Sequence, residues 1–181
     1  MSQTVNDFKN FLNEEKQKRV FELSEILYKV ESIVKGNIKR HGIDLMIISD
    51  NQYYVFGFEN ELIQSIINII NNATDALKSK DPIDRKIEII LQKDANYNVI
   101  KIEDNGGGIP LEIIDKIFEH YFTTKGENGS GIGLHMTKDI IENNFKGKLK
   151  VYNSAYGAIF EIHLPLYVFE EIEEYTLKEG K

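Results

Sequence analysis

Two glycine clusters and a pair of asparagines are the residues of this chain whose types and spacing could do chemistry. The first cluster, "DNGGGI" at Asp104 to Ile109, follows the apolar–polar run "YNVIKIE". Glycine accepts positive φ and lets another group approach the backbone closely. A strand running into this loop is therefore a tight turn or the floor of a nucleotide pocket, and Asp104 beside such a floor could accept a hydrogen bond from the amino group of a base. The second cluster, "GSGIGL" at Gly129 to Leu134, opens a helical run, where backbone N–H groups and the helix dipole favour phosphate. Neither cluster fits the dinucleotide fingerprint or the P-loop, and the signatures of eukaryotic-type protein kinases are missing. Each alone is a turn or a helix-capping loop. Asn68 and Asn72, in "NIINNA", are four apart and share a helix face. They mark the wet edge of that helix or a cation site: a side-chain amide oxygen is a hard ligand that suits Mg2+, whose shell phosphates and water complete.

The elements that would hold these groups are set by hydrophobic periodicity. The strongest helix pattern is "ENELIQSIINIINNATDALKSK", in which Leu62, Ile66, Ile69, Ile70, Ala73 and Leu77 share a face. An earlier helix is expected over "EILYKVESIVKGNIKRHG", capped by Ser24, with Ile26, Val30, Ile33 and Ile38 as its stripe and Gly42 as its stop. "RVFEL" reads as a short strand. "IDLMIIS" and "YYVFGF" flank "DNQ" and read as a hairpin; so do "KIEIILQ" with "YNVIKIE", and "KLKVYNS" with "AIFEIHL". "LEIIDKIF" reads as a short helix and "IGLHMTKDIIENNF" as a longer one. The class is α+β, with helices on one face of a sheet.

Composition narrows the function classes. The 181 residues suffice for one well-buried domain, and 41% hydrophobic residues support a core. With 28% charged residues and no uninterrupted apolar run, no membrane contact is expected of this stretch, and nothing resembling a signal sequence opens it. The absence of cysteine excludes disulfides, thiol catalysis and thiolate metal sites. A net charge of −7 argues against nucleic acid as a partner. A soluble, cytoplasmic location is expected, whether or not a parent protein is membrane-anchored.

Taken in order, Asn-x-x-x-Asn-Ala-x-Asp-Ala, Asp-x-Gly-x-Gly-Ile, Ile-Phe…Thr-Thr-Lys and Gly-x-Gly-x-Gly-Leu resemble the catalytic ATP-binding domain of sensor histidine kinases. That domain belongs to the superfamily shared with gyrase, heat-shock chaperone and mismatch-repair ATPases. The resemblance covers roughly residues 60 to 165, ending in "YGAIFEIHLP". It implies a two-layer α/β sandwich of the Bergerat type, with a mixed, mostly antiparallel sheet and ATP and Mg2+ bound beneath a flexible lid. By resemblance, Asn72 is the Mg2+ ligand, Asp104 accepts from the adenine amino group and Asp75 supports that side. Gly106 and Gly108 let the backbone approach the nucleotide, and Ile109 packs on the ring. Phe118 and Phe122 anchor the lid, Thr124 and Lys125 lie in it, and Lys125 contacts phosphate. Gly129, Gly131, Gly133 and Leu134 cradle the phosphates. His120 stands where the pattern usually has proline, and Ile159 where relatives often carry threonine near the adenine.

Asn68 separates branches of the superfamily. The hydrolysing branch carries a glutamate at that position as base for water, which an amide cannot replace. A neutral imidazole, with a pKa of about 6.5, already offers a lone pair, so transfer to histidine needs mainly positioning and charge neutralisation. Asn68 is thus an expected catalytic residue, beside Lys125, the phosphate contact that the resemblance implies. The acceptor histidine of the family precedes an acidic residue, whereas His41, His120, His135 and His163 precede Gly42, Tyr121, Met136 and Leu164. The chain therefore reads as a fragment. Residues 1–15 are the tail of a helical dimerisation and phosphoacceptor domain, with Val5, Phe8 and Leu12 at helical spacing. Residues 16–165 are the catalytic domain, and 166–181 an acidic extension with Val168, Ile172 and Tyr175 on one face. Expected partners are the phosphoacceptor domain and, indirectly, a response regulator. The competing readings are an ATP-sensing interaction module and a serine kinase of the anti-sigma-factor type.

Overall fold

The computed structural model describes residues 17–124, 126 and 131–168. The helical spacings noted near both ends of the chain, apart from Val168, lie outside these residues, as do Lys125 and Gly129. The elements run β1 (Arg19–Glu22), α1 (Leu23–Arg40), β2 (Ile43–Ser49), β3 (Tyr54–Gly57), α2 (Glu59–Lys80), β4 (Arg85–Lys93) and β5 (Tyr97–Asp104). After the segment that carries the first glycine cluster come α3 (Gly133–Asp139), which opens within the second, continued by one π turn (Ile140–Asn144), then β6 (Lys148–Asn153) and β7 (Ala158–Pro165).

Five strands form one mixed sheet in the order β2-β4-β5-β7-β6, parallel only between β2 and β4. Its covered face is built from every second residue. Ile89, Ile102 and Phe160 stand in register there, as do Leu91, Ile100 and Ile162, all buried. The alternate positions form a second, more polar face, where Lys101 pairs with Glu103 at 2.9 Å and Tyr152 Oη donates to Glu161 at 2.6 Å, with Val99 and Ile159 buried among them. Leu62, Ile66, Ile69, Ile70, Ala73 and Leu77 of α2 are all buried, as their spacing requires.

Four expectations need correction. β2 and β3 do not form a hairpin: β2 pairs in parallel with β4, and β3 pairs with β1 in a separate two-stranded ribbon. Alternation fixes which face of a strand is apolar but not its partner, and pairing with β4 sets Leu45 and Ile47 in register with that strand's buried Ile87 and Ile89. Helix α1 begins at Leu23, one residue before Ser24, whose hydroxyl bonds the Glu22 carboxylate instead of capping the helix. Its inward stripe is Leu23, Ile26, Leu27, Val30, Val34 and Ile38, and Ile33 is exposed. Residues 111–118 form successive turns rather than a helix, with Ile113 N–H and Ile114 N–H both donating to the Pro110 carbonyl at 3.1 Å. Only Ile117 of this run is buried, so little apolar packing rewards a continuous helix there.

Candidate functional site

Helix α2 carries two stripes. Beside its buried apolar face, Asn68, Asn72, Asp75, Ala76 and Ser79 recur at helical spacing and line one wall of a cleft of about 620 Å³. Gly106, Gly108, Ile109 and Pro110 of the first glycine loop form a second wall with Ile113 and Ile117. Phe122, Thr123 and Thr124 follow, and Gly131, Gly133 and Leu134 close the end. The cleft thus gathers Asn68, Asn72, Asp75, Gly106, Gly108, Ile109, Phe122, Thr124, Gly131, Gly133 and Leu134 from the expected set. One wall offers amides and a carboxylate, the other aliphatic and aromatic side chains. Such a site accepts a flat ring with a polar extension.

Asn68 ties two of the motifs together. Its amide Nδ2 donates to the Gly133 carbonyl at 3.3 Å and to Thr137 Oγ1 at 3.4 Å, while Thr137 Oγ1 donates to the same carbonyl at 2.9 Å. The start of α3 is thereby fixed against the middle of α2. Gly131 is required by the chain itself. Its φ is +64°, and a Cβ there would lie 2.4 Å from the carbonyl carbon of Tyr121, whose N–H donates to Gly131 O at 3.1 Å.

Asp104 lies beneath the glycine loop rather than on the cleft wall, and only 5% of its surface is exposed. Its Oδ1 accepts from Gly106 N–H at 2.8 Å. Burial raises its pKa above the ordinary value, against the hydrogen bonds from Gly106 and Ala158 N–H, and the Glu103 charge adds to the rise. The turn between β6 and β7 touches Asp104 directly: a Cβ on Gly157 would fall 1.9 Å from the Asp104 carbonyl oxygen. Ile159, expected near the base, instead pairs in register with Glu103 and Tyr152 on the opposite sheet face, and Ala158 is the residue beside Asp104. Asp75 lines the cleft with its carboxylate 3.9 Å from Lys78 Nζ. Phe118 meets Phe160 edge-on at 6.5 Å between centroids, with Lys138 Nζ 5.3 Å from its ring centre. His120 packs edge-to-face on His135 at 4.5 Å, at the base of the segment expected to form the lid.

Three contributors escaped the sequence reading. Ser79 and Lys80 extend the polar wall, about two turns past Asn72 on the stripe it shares with Asn68, so continuing the period would have found them. Asn153, at the end of β6, clasps Ile109 through both backbone groups, and no local pattern announces it.

The donor set fits a cation held mostly by its substrate. Among the described residues no group of three or more His, Asp or Glu side chains could hold a metal, whereas the Asn68 and Asn72 amides line the cleft. Mg2+ bound through one or two protein ligands plus phosphates and water demands no more.

Residues 57–168 match the family described as histidine kinase-, DNA gyrase B-, and HSP90-like ATPase. The chain belongs to this family. Among similar proteins, the two-component sensor PprA of Pseudomonas aeruginosa is 34% identical over 134 residues, which is 71% of this chain but 14% of that protein. The catalytic domain of histidine kinase ThkA superposes on this ATPase-family fold with a TM-score of 0.74 at 28% identity, covering 83% of this chain and 98% of the other. A structure of ThkA in complex with response regulator protein TrrA matches with a TM-score of 0.69 at 25% identity, over 92% of this chain and 48% of the other. Among the described residues, no helix of this family member is long and apolar enough to cross a membrane.

Proposed function

We propose that this chain is the ATP-binding catalytic domain of a two-component sensor histidine kinase, which passes the γ-phosphoryl group of ATP to a histidine on a helical phosphoacceptor domain. One observation carries the reading: a single cleft gathers the α2 amides, the first glycine loop and the start of α3, with the amide of Asn68 bonded to Gly133 O at 3.3 Å. Asp104, oriented by Gly106 N–H beneath the glycine loop, accepts the adenine amino group once the base reaches the floor of the cleft, and Asp75 supports that side. Gly106 and Gly108 let the backbone approach the base and sugar, and Ile109 packs on the ring. Phe118 and Phe122 anchor the segment that carries Thr124 and Lys125, with Lys125 as its phosphate contact. Gly129, Gly131, Gly133 and Leu134 cradle those phosphates. Asn72, with Asn68 beside it, would hold Mg2+, which supplies charge neutralisation on the phosphates. Because Asn68 cannot take a proton from water, the site favours a nucleophile whose attacking atom carries no proton to remove, such as a neutral imidazole nitrogen.

The domain division into 1–15, 16–165 and 166–181, a cytoplasmic location and a response-regulator partner belong to the same proposal. The ThkA–TrrA likeness supports the last of these. The test is label transfer from γ-labelled ATP. The chain alone should stay unlabelled and release little free phosphate. Adding the matching phosphoacceptor domain should give acid-labile, base-stable label on that partner. Fast phosphate release or self-labelling of the chain would refute the reading, and acid-stable label on a serine of the partner would replace it with a serine kinase.

A further inference from the structure

The turn between β6 and β7 leans on the first glycine loop, and the contact is specific. Gly107 N–H donates to the Tyr156 carbonyl at 3.0 Å. Beside it, Asn153 makes a paired contact with a single residue: Ile109 N–H donates to Asn153 Oδ1 at 2.8 Å, and Asn153 Nδ2 donates to the Ile109 carbonyl at 2.7 Å. Gly108 is shaped around this amide. Its φ is +79°, and a Cβ there would lie 2.8 Å from Asn153 Oδ1. Only a side-chain amide offers an acceptor to an N–H and a donor to a C=O in the same plane. A carboxylate of equal size would keep the first bond and turn an oxygen toward the carbonyl. Asn153 does not line the cleft, but Ile109 and Pro110 do.

We propose that Asn153 is a positioning residue for base recognition: by holding both backbone groups of Ile109, it fixes the apolar wall against which the nucleotide base packs. The inference rests on the ATP-site reading. Asn153 is exposed, so its loss leaves the core intact and acts on the loop alone.

The experiment titrates the 181-residue chain and its Asn153→Ala and Asn153→Asp variants with ATP, ADP and GTP by calorimetry. Thermal midpoints and the hydrogen exchange of the Ile109 amide are measured alongside. Two solvent-exposed hydrogen bonds at the weak end of their range suggest about a fivefold loss of affinity, roughly 1 kcal/mol at 1.4 kcal/mol per tenfold. The loss should be equal for ATP and ADP, since it falls on the base rather than the γ-phosphate. The preference for ATP over GTP should narrow, which a merely structural bond would not cause. Ile109 exchange should accelerate in Asn153→Ala and less in Asn153→Asp, with midpoints unchanged. Wild-type selectivity in both variants would overturn the inference, as would unfolding of both or unaltered Ile109 exchange. Failure of the wild type to bind any nucleotide would instead remove the ATP-site reading, and this inference with it.

Discussion

Replacing Asp104 by asparagine tests the floor of the proposed base pocket. The carboxylate already takes a 2.8 Å hydrogen bond from Gly106 N–H and another from Ala158 N–H, and Asp104 itself is only 5% exposed. An amide keeps one acceptor oxygen and turns an NH2 group toward a backbone donor or toward the ligand's own amino group. Hydrogen bonds to a charged group are worth about 1.5–3 kcal/mol, so Asp104→Asn should weaken ATP binding by about 10- to 100-fold. One backbone N–H left unsatisfied should also cost folding about 1–3 kcal/mol. Two pH dependences of opposite sign accompany this. Burial raises the Asp104 pKa above its ordinary 3.8 in the folded chain. Its contribution to stability is therefore fully present below 3.8 and is lost as pH rises through the folded value. ATP binding needs the ionised form, so in the wild type it weakens as pH falls through that same raised pKa, and in the variant this step disappears. Calorimetry with ATP and GTP across that pH range, together with urea denaturation, reads all of these effects. Equal ATP and GTP affinities in the wild type, or a variant affinity within about twofold of it, would refute the assignment, since one charged hydrogen bond is worth far more.

Two further perturbations test the metal site and the packing behind the base. Asn72→Ala should abolish most of the Mg2+ dependence of ATP binding with little loss of stability, and ADP should suffer less than ATP because fewer phosphates share the ion; an Mg2+ titration identical to wild type would remove Asn72 as a ligand. Gly157→Ala places a Cβ 1.9 Å from the Asp104 carbonyl oxygen, a backbone atom that cannot step aside without moving the base pocket. It should cost about 2–3 kcal/mol in urea denaturation and weaken ATP binding at the same time, and a variant of wild-type stability would contradict the close approach.

Much of the site was legible because its residues recur at local spacings. Asn68 and Asn72 sit four apart on a helix whose apolar stripe is unambiguous, and Gly106, Gly108, Gly131 and Gly133 fall in short clusters; all of these line the cleft. Local spacing was a weaker guide where competing structures share a pattern. "LEIIDKIF" has helical periodicity, yet its residues make turns along the cleft wall, and Ile117 is buried without a helix around it. Ile159 and Ala158 are neighbours in sequence, but strand alternation sends them to opposite faces, and only the register of β7 against β5 tells which one meets Asp104.

The sequence by itself determined the two stripes of α2, the apolar faces of the paired strands β4 with β5 and β6 with β7, and the identity of the groups offered to a ligand. Each depends on periodicities of 3.6 or 2 residues, which act over a few neighbours. Tertiary structure alone decided the parallel pairing of β2 with β4, the separate β1–β3 ribbon, the bond from Asn68 to the first residue of α3 and the clasp of Asn153 on Ile109. These join residues 42 to 65 positions apart in the strand crossover from Ile43 to Arg85 and in the bond from Asn68 to Gly133. Such pairings are chosen by how much apolar surface the whole chain can bury and which polar groups are left to satisfy, quantities that no local window contains.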